Sequence, residues 1–273
     1  MLPTFVIIGA MKCGTTSLHH YLAEHPEVCM PSIKETNFFV EQLNYGRGLA
    51  WYQSLFSREA KACGEASPAY SSTRIYAGIP ERMHALLPQA RLIYMVRDPI
   101  DRMVSQYKHA FACGLEHRTL NATLEAELDE RGQRRYLKTS QYYQNLLPYL
   151  DRYPLERILV LPAEDLHQER QTTLRRVFEF IGVDPDFESP AFERLWHPSD
   201  AKFTRRKNVF NMLLPRGLLN RLKRWKWNPA FRPLPPPQSQ LDPALKSRII
   251  HRLAPETDQF RRLTGQAFPG WCV

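Results

Sequence analysis

Two hydrophobic periods interleave along this chain. Compact apolar runs rich in β-branched and aromatic residues occur at TFVIIG (4–9), ARLIYMVRDP (90–99) and RILVLPAEDL (157–166). Each predicts a buried strand. ACGEASPAY at 62–70 predicts a shorter strand running into a loop. Between these runs, apolar residues recur at helical spacing. Helices are expected from Thr16 to about Glu24, stopped by His25-Pro26, and from Ile79 to Leu87, with Pro80 in the first turn and Pro88 beyond the end. Others are expected from Pro99 to about Cys113, from Ser140 to about Tyr153, and from about Gln168 to Ile181, where Gly182 closes the helix. Residues 26–60 are mixed, with a short helix around 50–56, and the polar, charged stretch 114–139 reads as irregular. Strands alternating with helices predict an α/β fold, a parallel sheet covered on both faces. Beyond residue 200 the pattern changes. A basic, partly amphipathic stretch ends in FRPLPPPQ, a stiff connector, and a last helix is expected over Leu241–Thr264. No internal repeat is visible.

Composition narrows this picture. With 273 residues, 43% of them hydrophobic, the chain can bury a substantial core. No run approaches the roughly 18 apolar residues of a membrane span. The N-terminal residues lack the basic start and cleavage site of a signal peptide, so the expected location is cytoplasmic. Five cysteines, an odd number with no C-x-x-C pair, argue for reduced thiols and against a disulfide framework or zinc site. The net charge of +9 is concentrated. Residues 201–232 hold ten Lys and Arg and no acid, which implies a localised anionic partner.

The junction of the first strand and helix carries candidate chemistry. GAMKCGTT at 9–16 places two glycines, a lysine and a threonine pair between strand and helix N-terminus. The first N–H groups of a helix have no intrahelical partner, and successive loop N–H groups can cup tetrahedral oxygens. Lys12 adds a full charge, Gly14 permits close approach, and Thr15, Thr16 and Ser17 add hydroxyl donors. The nucleoside-triphosphate loop has its lysine just after the second glycine. Here the lysine precedes Gly14 by two residues, and no obvious acidic metal partner ends the next strand. The loop suits a smaller anion without a metal.

A second site falls in RLIYMVRDPIDRMVSQYKH, residues 91–109. Arg97 sits just past the carboxyl end of a strand, where ligands bind in open α/β sheets. Ser105 lies about two helical turns on, so an arginine fork and a hydroxyl are expected to converge on another anion.

Together these motifs resemble the sulfotransferases that use 3′-phosphoadenosine 5′-phosphosulfate (PAPS). GAMKCGTTSL looks like the family's 5′-phosphosulfate loop and YMVRDPIDRMVSQY like its 3′-phosphate motif. KETNFF at 34–39, GEASPAY at 64–70, a Y-x-x-x-L-x-x-Y-L run within YYQNLLPYL and the terminal Trp271 resemble the glycan branch, which includes the heparan sulfate O- and N-sulfotransferases and bacterial relatives. The resemblance covers most of the chain and is weakest at 114–139 and 208–240. It implies a P-loop-like three-layer sandwich, with a central parallel sheet flanked by helices, forming a single domain over 1–273.

The resemblance also implies roles. Lys12, Cys13, Gly14, Thr15, Thr16 and Ser17 would hold the 5′-phosphosulfate, and Arg97 and Ser105 the 3′-phosphate. Lys202, Arg205 and Arg206, in KFTRRKN, would close over the nucleotide. No metal is required. Lys12 would neutralise charge on the bridging oxygen as the bond to phosphate breaks. Glu35, in E-x-x-F-F, would take the acceptor's proton, and a carboxylate beside two aromatics is expected to be partly desolvated. The plainer reading of Glu35 is a surface carboxylate paired with Lys34. Among the histidines, His19, His20, His109 and His117 are alternative bases. Cys13 would have its thiol pKa lowered if exposed to the loop's field, but reads as a small filler.

The resemblance implies a glycan, glycolipid or small-molecule acceptor, with hydroxyl and amine both open. NMLLPRGLLNRLKRWKW at 211–227 mixes cations with Leu, Met and Trp. It reads either as a stretch packed on the domain or as a grip for an anionic acceptor or lipid surface. A metal-dependent kinase or NTPase and a non-catalytic anion- or nucleic-acid-binding protein are the competing classes. The lysine's place in the loop disfavours the first, and two separate phosphate-type sites disfavour the second.

Overall fold

A computed structural model of the chain describes residues 1–56, 58–129, 135–194 and 240–273. Its centre is one five-stranded parallel sheet: β1 (Phe5–Gly9), β2 (Val28–Cys29), β3 (Ala62–Ala66), β4 (Arg91–Val96) and β5 (Ile158–Pro162), in the order β2-β3-β1-β4-β5. All five residues of β1 are buried, as are Leu92–Val96 of β4. That explains their unbroken apolar character, because helices cover both faces. Each fully buried Val, Leu or Ile contributes about 1.5–3 kcal/mol. Register places Phe5 opposite Gly64 on one side and Arg91 on the other.

The helices are α1 (Thr15–Glu24), α2 (Gly48–Ser54), α3 (Ile79–Leu86), α4 (Pro99–Ala112), α5 (Leu120–Leu128), α6 (Arg135–Ser140), α7 (Tyr142–Leu150), α8 (Ala163–Gln168), α9 (Arg170–Ile181) and α10 (Pro243–Thr264). The main α/β expectation holds, and local differences have local causes. The stretch 114–139 is not irregular. Thr119 caps α5 by accepting from Ala122 N, and Leu120, Thr123, Leu124 and Glu127 bury one helical face. The expected helix from Ser140 is broken at Gln141 into α6 and α7. The third long strand ends at Pro162, where α8 begins. FRPLPPPQ lies outside the described residues.

Strand order fixes where a ligand site belongs. The chain builds β3 and β2 on one side of β1, then crosses to build β4 and β5 on the other. The crevice at the carboxyl ends of β1 and β4 is therefore the topological switch point. Both anion-loop candidates leave the sheet there. A second cluster of buried side chains, including Ile100, Met103, Leu124, Ile249 and Leu253, packs α4, α5 and α10 together. It anchors the helix that follows Arg97.

Candidate active site

The first loop is shaped by close approach. A Cβ on Gly9 would lie 2.0 Å from Ser71 Oγ, so only glycine fits against the turn after β3. Ala10 N donates to Met95 O at 2.5 Å and laces the loop to β4. Lys12 (φ 71°) and Gly14 (φ 83°) are both left-handed. Gly14 is the N-cap of α1 and offers no side-chain cap to the first helical N–H groups, and both Gly14 and Ser17 line the crevice.

The second loop is held from below. Asp98 caps α4 by accepting from Ile100 N and Asp101 N, both at 2.9 Å. Its other oxygen accepts from Cys272 N at 2.5 Å and ties down the C-terminal turn. Arg97 donates to Asp101 Oδ2 at 3.0 Å and keeps 33% of its side chain exposed. The ion pair is thus with Asp101, one helical turn away, while Asp98 serves the backbone.

Tyr142 joins the two loops. Its buried hydroxyl donates to Arg97 O at 2.8 Å, accepts from Arg97 N at 3.3 Å and lies 3.7 Å from Cys13 Sγ. Trp271 packs against its ring, with centroids 5.7 Å apart. The sequence motif pointed at this stretch without revealing the role. Cys13 is fully buried, and desolvation pushes its thiol up to about 11. The lowered pKa depended on exposure, and that condition is not met. The side chain fills core space beneath the loop and does not reach into the crevice.

Between the loops opens a cavity of about 330 Å³ lined by Lys12, Gly14, Ser17 and Arg97. Residues from two motifs some eighty positions apart thus share one wall. Thr15 is buried, and neither Thr15, Thr16 nor Ser105 lines the cavity; Ser105 lies one turn beyond Asp101 on α4 and is buried. The far wall comes from the β5–α8–α9 corner, including Glu164, His167 and Arg170, with Tyr21 of α1. The Arg170 guanidinium stands 5.5 Å over the Tyr21 ring and donates to Phe192 O at 2.5 Å. Sequence reasoning missed this wall, although its signal was the one used for Arg97, the carboxyl end of an apolar strand.

Glu35 lies on a neighbouring part of the same sheet edge. Its N–H donates to Ala66 O at 3.1 Å, and Ala66 pairs with Ile7 in register, so the Glu35 backbone is tied to the carboxyl end of β3, next to β1. It does not line the cavity described above. The expected desolvation is absent: 51% of its side chain is exposed, and Lys34 Nζ pairs with it at 2.7 Å. Phe38 and Phe39 are buried, but they point into the core around Tyr52 and Tyr70 and not at the carboxylate. His19 is buried, and desolvation, His20 and Lys34 lower its pKa to about 4, which makes it a weak base. Lys202, Arg205 and Arg206, and the segment 211–227, lie outside the described residues. Among the described residues no group of three or more His, Cys, Asp or Glu is placed to hold a metal ion.

A single parallel sheet flanked by helices, with a basic cavity at its switch point, defines an α/β protein of P-loop-like fold. More particularly, the chain belongs to the sulfotransferase domain family, whose model matches residues 2–233. It is 30% identical over 200 residues to the human bifunctional heparan sulfate N-deacetylase/N-sulfotransferase 2, covering 67% of this chain and 22% of that protein. It is 32% identical over 189 residues to the Mus musculus heparan sulfate glucosamine 3-O-sulfotransferase 3A1, covering 67% of this chain and 46% of that one. The chain therefore spans less than half the length of these relatives. The crystal structure of a sulfotransferase from Alicyclobacillus acidocaldarius shares the fold over 99% of both chains, with a TM-score of 0.72 and 24% identity.

Proposed function

We propose that this chain transfers a sulfuryl group from PAPS to a hydroxyl or amine of a glycan, glycolipid or small-molecule acceptor. The observation that carries the reading is the single cavity in which Lys12, the uncapped start of α1 and Arg97 meet. Its volume of about 330 Å³ is within the usual range for a small-molecule site. Basic groups at two separated places suit a nucleotide that is anionic at both ends. Lys12, Gly14 and the first-turn groups Thr15, Thr16 and Ser17 serve the 5′-phosphosulfate. Arg97 serves the 3′-phosphate, with Ser105 further along the same helix. Lys202, Arg205 and Arg206 remain the candidates for closing over the nucleotide. The family membership and the heparan sulfate relatives support both the donor and an acceptor of sugar type.

Sulfuryl transfer resembles phosphoryl transfer, so the protein's work is positioning and charge stabilisation. As sulfur passes to the acceptor, negative charge grows on the oxygen left on the nucleotide's 5′-phosphate. Lys12 stabilises that charge through its ammonium group, a role supported by its position on the cavity wall. Glu35 takes the acceptor's proton at its exposed carboxylate, which is reachable from solvent and hence by an acceptor. Lys34 Nζ lies 2.7 Å from the carboxylate and fixes one of its oxygens. No step calls on a metal. A cytoplasmic setting accords with the five unpaired cysteines.

The test is a mass-shift assay in which the protein, PAPS and a panel of sugar, lipid-linked sugar and small alcohol or amine acceptors are incubated together. A gain of one sulfate on an acceptor, lost in Lys12→Ala and Glu35→Gln, is the expected result. Turnover retained in Glu35→Gln would place the base elsewhere.

A further inference from the structure

Strand β3 carries a glutamate that the reaction above does not use. Glu65 is fully buried, and its carboxylate accepts four hydroxyl hydrogen bonds. Thr36 Oγ1 donates to Oε2 at 2.5 Å and Ser67 Oγ to the same oxygen at 2.7 Å. Tyr52 Oη donates to Oε1 at 2.7 Å and Tyr70 Oη at 2.9 Å. Burial raises this carboxyl's pKa, while the four hydroxyls pull it back down. An ionised carboxylate offers about four acceptor positions and no donor, which is what four converging O–H groups require.

Two of these hydroxyls hold the loop that carries Glu35. Thr36 lies between Glu35 (φ 63°) and Asn37 (φ 47°), both left-handed. Non-glycine residues keep such conformations where their surroundings over-determine them. The surroundings here are specific. Asn37 N donates to Ser67 Oγ at 3.0 Å, and Phe38 N donates to Thr36 Oγ1 at 3.4 Å. Each hydroxyl donates its O–H to Glu65 and turns a lone pair to the loop backbone. An amide at position 65 would set N–H groups against one pair of hydroxyls, and where that pair is Thr36 and Ser67 they must reverse, releasing Asn37 or Phe38.

We propose that Glu65 is a positioning residue for acceptor activation. Through Thr36 and Ser67 it fixes the backbone of residues 35–37, and so sets where the Glu35 carboxylate stands at the carboxyl end of β3. The proposal rests on the reading of Glu35 as the base, and the experiment separates the two. Four variants are compared, Glu65→Gln, Thr36→Val, Thr36→Ser and Glu35→Gln. Each is measured for kcat, KM for PAPS, Kd for adenosine 3′,5′-bisphosphate and melting temperature.

Displacement of a reacting group by about 1 Å can cost about 100-fold in rate. The expected result is a fall in kcat of at least about ten-fold in Glu65→Gln and Thr36→Val, with bisphosphate Kd within about two-fold of wild type. Thr36→Ser, which keeps the hydroxyl, restores kcat. If Glu65→Gln does not fold, Thr36→Val decides, because it leaves Glu65 with three of its donors. Wild-type kcat in Thr36→Val, or a parallel loss of bisphosphate binding, overturns the positioning role. Near wild-type kcat in Glu35→Gln instead overturns the assignment of the base, whatever the other variants do.

Discussion

Replacing Arg97 by alanine probes the claim that one cavity grips both ends of the nucleotide. A hydrogen bond to a charged group contributes about 1.5–3 kcal/mol. Arg97 stands toward the lower end of that range. A third of its side chain is exposed, and one of its nitrogens is already committed to Asp101 at 3.0 Å. Solvent screening and this competition leave about 1.5–2 kcal/mol for the phosphate, or about 10- to 30-fold in Kd. The assay is a calorimetric titration of wild type and Arg97→Ala with two ligands, adenosine 3′,5′-bisphosphate and adenosine 5′-phosphate. The bisphosphate should weaken by that factor, while the monophosphate, which lacks the 3′ group, should change less than about two-fold. Equal weakening of both ligands would mean that Arg97 supports the fold or the 5′ end. No weakening of either would remove it from the site.

Three further outcomes are expected. Lys12→Ala should lower kcat by about 100- to 1000-fold, the usual loss when one preorganised donor to a developing charge is removed, with a smaller effect on bisphosphate binding; single-turnover kinetics measure it. Glu256 of α10 accepts from Tyr143 N and Gln144 N at the start of α7, and burial pushes its carboxyl up to about 8. The folded protein then holds a proton that the unfolded chain releases, so this group's contribution falls as pH rises from about 4.5 to about 8. Urea melts across that window should show Glu256→Gln gaining on wild type by a few kcal/mol in total, and parallel curves would refute the linkage. Arg102 is wholly buried and donates to Ser140 Oγ, Gln106 Oε1 and Tyr136 O at 2.7–2.8 Å. Arg102→Met strands those acceptors and should destabilise the protein by about 2–5 kcal/mol in the same melts.

What the sequence disclosed follows from how each feature is built. The strands at 5–9 and 91–96 were legible because both faces are buried, which leaves a continuous apolar signal. The strand β2 was not, because two residues carry too little pattern. The helix α5 escaped because Thr123 and Glu127 stand on its buried face, and Glu127 is spent on capping Arg135, Tyr136 and Leu137 N–H groups. Lys12 and Arg97 were legible as local strand-to-helix junctions. Their convergence was expected from the resemblance and not from spacing, since it depends on sheet order and on Tyr142, contributed by a helix between β4 and β5. The setting of Glu35 was least legible of all. Its neighbours in sequence, Phe38 and Phe39, promised an apolar surround, yet the loop turns them into the core and leaves the carboxylate with Lys34 in solvent. The hydroxyls that hold this turn are that of Thr36 itself and that of Ser67, in the turn after β3, and no sequence spacing announces them.

The most direct measurement is titration of the unmodified protein with adenosine 3′,5′-bisphosphate in the presence of a chelator, followed by competition with ATP and magnesium. The account predicts metal-independent binding in the micromolar range that ATP displaces poorly. Absence of bisphosphate binding, or tighter magnesium-dependent binding of ATP, would contradict it.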